Sequence, residues 1–442
     1  MLQGVFNSGW IYLLHAVLLG AGLWLLYAAR FRDRPSPWRQ IAVGAICVVG
    51  ALYTYSVGEP KRPFGDFQDA YYPAGVAVLL DRASLGEVMA DGVLGFVNLP
   101  IIAYLFAPFA ILDIERASIL FLVLGAGATA AAWYGITRLV GLERRDAAAL
   151  LLLFATFGPL HNSIKEGNTS HVVLLVVVAA LLLLQRRRDF LAGSLLALAA
   201  AVKLPLSLLG VYFLLSARWK VVAGGAATLL CLAAVSLALF GRDMHVQWFD
   251  AFVLSSSESK ILAFNAQSVQ AFFGRLETGG EYLQSWDARV VGETAALAGN
   301  LTVVLLYGVA VAVCVLPRGR AAARADAMRA ELLDCCIVIA LACVTSPLSW
   351  SHYYTWLLLP LAALLREWDQ ELLGVKGALS FVALVAVAAP VFFMQAAATS
   401  WVYSSVAVSH LLLGGVVLLG ALCAARLREA TPDKLAVSRA VT

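Results

Sequence analysis

The sequence predicts an all-α polytopic membrane protein, and three observations carry that prediction. Hydrophobic residues make up 61% of the 442 positions and charged residues only 14%, whereas an ordinary soluble domain has about 25% charged residues. Runs such as residues 10–29 and 221–240 approach the roughly 20 apolar residues that cross a bilayer as a helix. The short alternating strands of a membrane β-barrel are absent from the sequence.

Apolar runs separated by short basic connections predict about 12–13 membrane spans. Arginine-rich stretches at 30–39, 186–188 and 317–324 lie in such connections, and the positive-inside rule places them in the cytoplasm. The N-terminus then faces outward and the C-terminus inward. The predicted spans are residues 10–29, 40–57, 115–140, 146–160, 170–185, 190–202, 204–216, 221–240, 296–316, 331–347, 353–366, 377–394 and 406–424.

One apolar segment does not fit this series. Residues 98–112 (NLPIIAYLFAPFAIL) are short and contain two prolines. If they crossed the membrane, every later connection would invert and the arginines at 186–188 would face outward. We therefore expect an interfacial or re-entrant segment. The chain divides into an extra N-terminal span with a basic cytoplasmic loop (1–39), a transmembrane domain (40–428) and a cytoplasmic tail predicted to be disordered (429–442).

Composition and missing motifs exclude several classes of function. The basic residues are scattered through short connections, which argues against a nucleic-acid partner. No Walker motif, GxGxxG or HExxH sequence occurs, and no soluble nucleotide-binding domain is evident. The chain also lacks a DxD signature. We therefore expect no cofactor, no bound metal and no nucleotide-sugar donor.

The stretch GDFQDAYY, directly after a predicted span, places two carboxylates at the membrane surface. Asp66 and Asp69 could cap the first turn of a juxtamembrane helix. Either could instead act as a general base that deprotonates a hydroxyl of a substrate. The aromatic residues Tyr71 and Tyr72 follow at once and are candidates for substrate binding.

Lys203 lies in an otherwise continuous apolar stretch, AAAVKLPLSLLG. A cation within the membrane is costly and is usually functional, and the phosphate of a lipid substrate would be its natural partner. Alternatively, the side chain could extend to the membrane surface. The polar connection HNSIKEGN adds Lys165 and Asn168 as candidates, although a plain loop explains it equally well.

Two further polar stretches lie in predicted external connections. FNAQS offers Asn265, Gln267 and Ser268, whose amide and hydroxyl groups suit sugar hydroxyls. PLSWSHYYTW places His352 among aromatic residues at the entrance of a span. An aromatic belt with an incidental histidine is one interpretation, and a contact to phosphate or hydroxyl is the other. The aromatic candidates are Trp350 and Tyr353.

In their order along the chain, GDFQDAYYPAG, FVNLPIIAYLFAPFAIL, KEGN, KLPL, FNAQS and SWSHYY resemble glycosyltransferase family 87, the polyprenol-phosphate-mannose-dependent type within the GT-C fold. The resemblance covers most of residues 40–370. It implies a GT-C-type bundle with juxtamembrane helices in the first large external loop and a cavity on the non-cytoplasmic face. The implied setting is the inner (cell) membrane of a bacterium, with the active site facing the periplasm or exterior.

The resemblance also implies an activity and roles for residues. A hexose, mannose by analogy, would pass with inversion from a polyprenyl-phosphate donor to a lipid-linked or glycan acceptor, with membrane lipids as the remaining partners. Asp66 would be the catalytic base with Asp69 as its alternative, His352 would match the family's late external histidine, and Lys203 would meet the donor phosphate. The alternatives are a lipid or solute transporter or flippase, which should show internal symmetry that we do not find, and a non-catalytic scaffold.

Overall fold

The computed structural model describes residues 64–255, 259–315, 324–367 and 399–430, together with 384, 386–389 and 391. The predicted spans 10–29 and 40–57, most of 377–394 and the end of the tail lie outside the described residues. Within these ranges the chain is helical, and its only β-structure is two isolated bridges. The all-α prediction is confirmed.

The α-helices are joined mostly by short connections, several of which are single 3₁₀ or π-helical segments. In chain order they are α1 Tyr72–Leu80, α2 Leu85–Ala90, α3 Ile114–Val140, α4 Arg144–Thr156, α5 Gly158–Lys165, α6 Ser170–Gln185, α7 Asp189–Val202, α8 Ser207–Leu215, α9 Trp219–Phe249, α10 Val269–Thr278, α11 Glu293–Cys314, α12 Arg324–Thr345, α13 Leu358–Glu367 and α14 His410–Ala430. The first large loop, for which juxtamembrane helices are predicted, contains the short helices α1 and α2.

Four helices of the described part are long and apolar enough to cross a membrane, namely α3, α9, α11 and α14. A fifth span results if α4 and α5, which meet at a bend of 51°, are taken as one. The chain is therefore a multi-pass membrane protein. The total of about 12–13 spans, and the extra span at the N-terminus, stay predictions.

The predicted span 146–160 is broken. Helix α4 ends at Thr156, and α5 begins at Gly158 with Pro159 in its first turn. Proline suits a helix start because it has no backbone N–H to leave unpaired. Residues 161–165, which the sequence placed in a loop, are therefore the second half of α5. The loop prediction was wrong for these five positions. Their polar side chains end the apolar run by which the helix was recognised, although the helix itself continues.

Residues 98–112 form no long helix. They contain the 3₁₀-helices Pro100–Leu105 and Phe109–Ile111. Six residues at about 2 Å rise each cover only about 12 Å, far less than the roughly 30 Å of a bilayer core. This geometry agrees with an interfacial or re-entrant segment, although the side of the membrane on which it lies stays a prediction.

Helices α7 and α8 form a hairpin whose turn is at Lys203. Helix α7 ends there, and the 3₁₀-helix Leu204–Leu206 begins α8 after Pro205. At the open end of the hairpin, Arg218 Nη2 lies 3.4 Å from Asp189 Oδ1, and Arg218 also pairs with Glu331. The chain therefore leaves and returns at the same end, and Lys203 is held at the opposite end.

The core is centred on α12. Nearly every side chain from Leu333 to Ser346 is buried, because α8, α11, α13 and α14 all pack around this helix. Its buried Asp334 accepts a hydrogen bond from Arg426 at 2.7 Å and another from Tyr212 at 3.0 Å. This pairing satisfies a charge in an apolar bundle, near the middle of α12.

Candidate active site

The site begins with the π-helix Asp66–Tyr71, which is docked on the turn between α5 and α6. The N–H of Phe64 donates to the carbonyl of Lys165 at 2.7 Å, and that of Phe67 donates to Glu166 at 3.3 Å. The close approach requires Gly167, which has φ +64°. A Cβ there would lie 2.7 Å from both phenylalanine side chains. This glycine thus fixes where the first carboxylate stands.

Asp66 is bound to a side chain from the far side of that turn. Asn168 Nδ2 donates to Asp66 Oδ2 at 2.5 Å and lies 3.3 Å from the hydroxyl of Tyr71. The amide oxygen of Asn168 is in turn held by the backbone and side chain of Ser170, at 3.0 and 2.9 Å. Tyr71 stacks on Phe106 with ring centroids 4.5 Å apart. One oxygen of Asp66 is therefore oriented by a preorganised amide.

The environment of Asp66 sets its basicity. Burial raises the pKa of its carboxyl above the ordinary value of 3.8, while the hydrogen bond from Asn168 and the charge of Lys203 lower it. The charge of Asp69 raises this pKa slightly further. A carboxylate with a raised pKa is a stronger base, so the environment suits general-base chemistry.

Lys203 enters the same region from the hairpin of α7 and α8. Its side chain is buried, and its Nζ lies 4.9 Å from the centre of the Tyr353 ring, a cation–π contact. No ion pair of this lysine is found in the described part of the chain. Its charge is nevertheless close enough to act on Asp66 and on His352. A buried cation without a direct carboxylate contact is suited to an anionic ligand.

His352 comes from the 3₁₀-helix Ser351–Leu357, which precedes α13. Its imidazole is buried, and burial lowers its pKa well below the ordinary value of 6.5, as do the charges of Lys203 and His171. The ring is therefore neutral at neutral pH. In the described part of the chain its Nε2 has no hydrogen-bond partner. A neutral imidazole can donate or accept one hydrogen bond in the site, according to its tautomer.

The structure thus brings six of the predicted site residues into one region, drawn from four separate parts of the chain. They are Asp66, Tyr71, Asn168, Lys203, His352 and Tyr353.

The second carboxylate of GDFQD has a different setting. Asp69 follows on the same π-helix but is exposed, whereas Asp66 is half-buried. This difference in burial favours Asp66 as the base.

Lys165 stands at the edge of this region. Its Nζ forms an ion pair with Glu166 at 3.7 Å, with both side chains about one third exposed. Burial raises the pKa of Glu166, and its lysine partner lowers it. Much of the charge of Lys165 is therefore met by its neighbour.

Several predicted binding residues already have protein partners. Gln267 is buried, and its amide nitrogen donates to the carbonyls of Phe264 and Val408 at 2.9 and 2.7 Å. Ser268 is the N-cap of α10, since its hydroxyl accepts from the N–H of Ala271 at 3.0 Å. Their hydrogen bonds stabilise the loop, and both side chains therefore have a structural role.

Three more candidates are engaged with neighbours. The hydroxyl of Tyr72 donates to the carbonyl of Leu112 at 2.9 Å. Asn265 accepts from the indole of Trp286 at 3.1 Å, and its backbone carbonyl accepts from the N–H of Ser351 at 2.9 Å. Trp350 packs with that loop and pairs with Ala266 in an isolated β-bridge. Contacts with Asn265 and Ala266 therefore hold in place Ser351 and Trp350, the two residues that precede His352.

Two residues at the site, His171 and Glu166, were not among the candidates predicted from the sequence. His171, buried in α6, bonds through Nδ1 to the hydroxyl of Ser163 at 2.9 Å and acts electrostatically on His352. A Cβ on Gly125 would lie 2.4 Å from its Nε2, so the glycine makes room for the ring. Glu166 belongs to the KEGN stretch, next to Lys165, and forms an ion pair with it. A titratable residue beside a predicted site residue was the available signal for Glu166, and no local signal marks His171.

Comparison with known proteins bears on this arrangement. A curated relative is the polyprenol-phosphate-mannose-dependent alpha-(1-2)-phosphatidylinositol pentamannoside mannosyltransferase of Mycolicibacterium smegmatis. It is 29% identical over 238 residues, which cover 52% of this chain and 52% of the relative. The chain thus matches about half the length of that protein.

The model of glycosyltransferase family 87 matches residues 96–347, more than half of the chain. That range includes Asn168 and Lys203. Asp66 lies before the range and His352 shortly after it, and the fold brings both to the same site. The match covers more than half of a multi-pass helical membrane protein, so the chain belongs to glycosyltransferase family 87.

Proposed function

We propose that this member of family 87 is a membrane glycosyltransferase that moves a hexose, mannose by analogy with the relative, from a polyprenyl-phosphate donor to a hydroxyl of a lipid-linked or glycan acceptor. The observation that carries the proposal is the approach of Lys203 to Asp66, with the base held by Asn168. A base beside a buried cation fits a reaction in which a hydroxyl loses a proton while a phosphate leaves. The relative's name supplies the polyprenol-phosphate-mannose donor.

In the proposed reaction, Asp66 takes the proton from the acceptor hydroxyl. The oxygen of that hydroxyl attacks the anomeric carbon of the sugar on the side opposite the phosphate. The bond between this carbon and the phosphate oxygen breaks, and its electron pair leaves with the lipid phosphate. Attack from the opposite side inverts the anomeric centre, because no covalent sugar–enzyme intermediate forms.

Lys203 is proposed to stabilise the charge that develops on the leaving phosphate. A cation placed where charge grows, away from bulk water, stabilises the transition state more than the ground state. This role requires no bound metal, and we propose a metal-independent reaction. Neutral His352 would add a hydrogen bond to the phosphate or sugar.

We further propose that the reaction takes place on the non-cytoplasmic face of a bacterial inner membrane. Support comes from the positive-inside pattern, which puts the connections of Asp66, Lys165 and His352 on one side. Family membership favours an enzyme over the transporter or flippase alternative. Helix breaks such as that at Lys203 also occur in transporters, but the base beside it is explained better by catalysis.

The test is transfer by the full-length purified protein in lipid nanodiscs. Synthetic polyprenyl-phosphate mannose is offered with a phosphatidylinositol mannoside acceptor, and GDP-mannose replaces the donor in a parallel reaction. We expect product from the lipid donor only, with the opposite anomeric configuration by NMR, and no loss on chelation by EDTA. Product from the nucleotide sugar, or a retained configuration, would overturn the proposal.

A further inference from the structure

The segment Ser351–Leu357 is a 3₁₀-helix, and its geometry sorts its side chains into faces. With three residues per turn, side chains at positions i and i+3 lie directly above one another. Tyr353 and Trp356 show this, since their rings stack with centroids 4.9 Å apart and planes at 20°. By the same spacing, His352 and Thr355 share the adjacent face.

Both residues of that face bury a polar atom without a partner. His352 is 8% exposed and Thr355 is fully buried. Among the described residues, neither His352 Nε2 nor Thr355 Oγ1 has a hydrogen-bond partner. Three of the five buried threonines in the described ranges donate to a carbonyl, as Thr345 does to Leu341 at 2.8 Å, while Thr169 Oγ1 is the other one left without a partner. A buried polar group without a partner calls for an explanation, and a role in binding or catalysis is one of those that apply.

The surroundings of this face are suited to an anion. The ammonium of Lys203 contacts Tyr353, which directly follows His352, and its charge reaches His352. The indole N–H of the next residue, Trp356, is already used by the carbonyl of Ser170 at 3.2 Å. The imidazole of His352, which the charge of Lys203 reaches, and the hydroxyl of Thr355 on the same face of the 3₁₀-helix therefore remain as hydrogen-bond donors.

We infer that Thr355 binds the phosphate of the lipid donor, donating its hydroxyl hydrogen to one phosphate oxygen while His352 Nε2–H donates to another. This inference rests on the proposed function and adds a residue to the same site. A tetrahedral phosphate presents oxygens on several sides, so it can bridge donors one helical turn apart while Lys203 neutralises its charge. The imidazole takes the tautomer protonated at Nε2.

The test replaces Thr355 by valine and by serine in the full-length protein. Thr355→Val keeps the shape but removes the hydroxyl, and it should weaken binding of a polyprenyl phosphate roughly 10- to 100-fold, as loss of a hydrogen bond to a charged group does. Its melting temperature without ligand should be unchanged or higher, because an unpaired hydroxyl is no longer buried. Thr355→Ser should melt lower, since a buried methyl group is lost, yet bind within about threefold of the parent.

Thr345→Val is the matched control, because this buried threonine is already paired with Leu341 and with Tyr307 at 3.1 Å. It should lower the melting temperature and leave binding of the polyprenyl phosphate unchanged. Binding is measured by the shift in melting temperature and by inhibition of transfer. Inorganic phosphate is tested in parallel and should bind far more weakly, because the lipid chain is missing.

The outcomes separate two failures. If the parent protein neither binds the polyprenyl phosphate nor transfers from its sugar ester, the proposed function fails. If the parent binds and Thr355→Val binds equally well, the role of Thr355 is refuted. If Thr355→Val melts lower and binds normally, the hydroxyl serves the fold instead. Equal binding of inorganic phosphate would show that the site does not recognise a lipid-linked phosphate.

Discussion

At the scale of single residues, the two carboxylates of GDFQD are distinguished by their environment. Asp66 is half-buried and receives a hydrogen bond from Asn168, while Asp69 is exposed. We expect Asp66→Asn to lower the rate of sugar transfer by roughly 10²–10⁴, the usual contribution of a general base. Asp69→Asn should stay within about threefold of the parent. Initial rates at saturating donor decide it, and the reverse ranking would make Asp69 the base.

The same substitution should not weaken the fold. The folded-state pKa of Asp66 is raised above 3.8. Between the ordinary and the raised pKa, the folded protein binds a proton that the unfolded chain has released, so stability falls as pH rises through that window. Ionised Asp66 therefore carries a stability cost at neutral pH, and Asp66→Asn removes it. A melting temperature clearly below that of the parent would mean that lost activity reflects a damaged fold.

The pH dependence of transfer offers an independent test of the base. The acid side of the profile should follow the pKa of Asp66 and lie above the usual range of an aspartate. Lys203→Met should move this limb to higher pH, because the cation that lowers the pKa is gone. Asp69→Asn should move it slightly to lower pH, since a carboxylate that raises the pKa is gone. Profiles of kcat/KM against pH measure both shifts. If the acid limb stayed in place in both variants, Asp66 would not be the group whose titration controls transfer.

Two other titratable groups face Asp66. Burial and the charge of Asp66 raise the pKa of Tyr71, so that phenol stays neutral over the accessible pH range. Glu166 pairs with Lys165, and its own pKa is raised by burial. Glu166→Gln therefore belongs in the same series, as a check that its titration does not produce the acid limb.

At the scale of elements, the turn between α5 and α6 carries the site. Gly167→Ala should lower both the melting temperature and the transfer rate, because its φ of +64° is unfavourable for alanine and the new Cβ would press on Phe64 and Phe67. The matched control is Gly279→Ala, where φ is also +64° but no atom lies within 4 Å of the new Cβ. Both variants place alanine at the same positive φ, but only Gly167→Ala presses on the segment that carries Asp66, so only this variant should lose activity. Equal activity in the two would show that the turn does not position Asp66.

Elements were predictable from sequence where their cause is local. The prediction for residues 115–140 matches α3, Ile114–Val140, because length and apolarity alone define such a helix. The turn at Lys203 was also predictable from a local signal, because Pro205 and the charge of Lys203 interrupt the apolar run. The bond between Asn168 and Asp66 joins positions 102 residues apart, and no local pattern encodes it. Likewise, Gln267 was predicted to bind a substrate because its amide suits a sugar hydroxyl. One of its actual partners, the carbonyl of Val408, is distant in sequence.

At the scale of the whole molecule, the site exists only when distant segments assemble. Asp66 precedes the stretch matched by the family model, and His352 follows it. The hairpin tip at Lys203 and the turn at Asn168 come from its middle. Such an assembly requires all four segments to meet on one side of the membrane, which is a statement about topology that labelling can test.

We expect residues 98–112 to leave Asp91 and Asp113 on the same side. The two short 3₁₀-helices in this stretch cannot cross a bilayer. Asp91→Cys and Asp113→Cys should therefore both react with an impermeant maleimide added to intact cells. Arg187→Cys, in a basic connection predicted to be cytoplasmic, should react only after permeabilisation. If Asp113→Cys behaved like Arg187→Cys, the segment would cross the membrane between Asp91 and Asp113. The contact of Asn168 with Asp66 forbids these two residues from lying on opposite faces. Such a result would therefore require one crossing more or fewer between Asp113 and Asn168 than the two predicted spans, 115–140 and 146–160, provide.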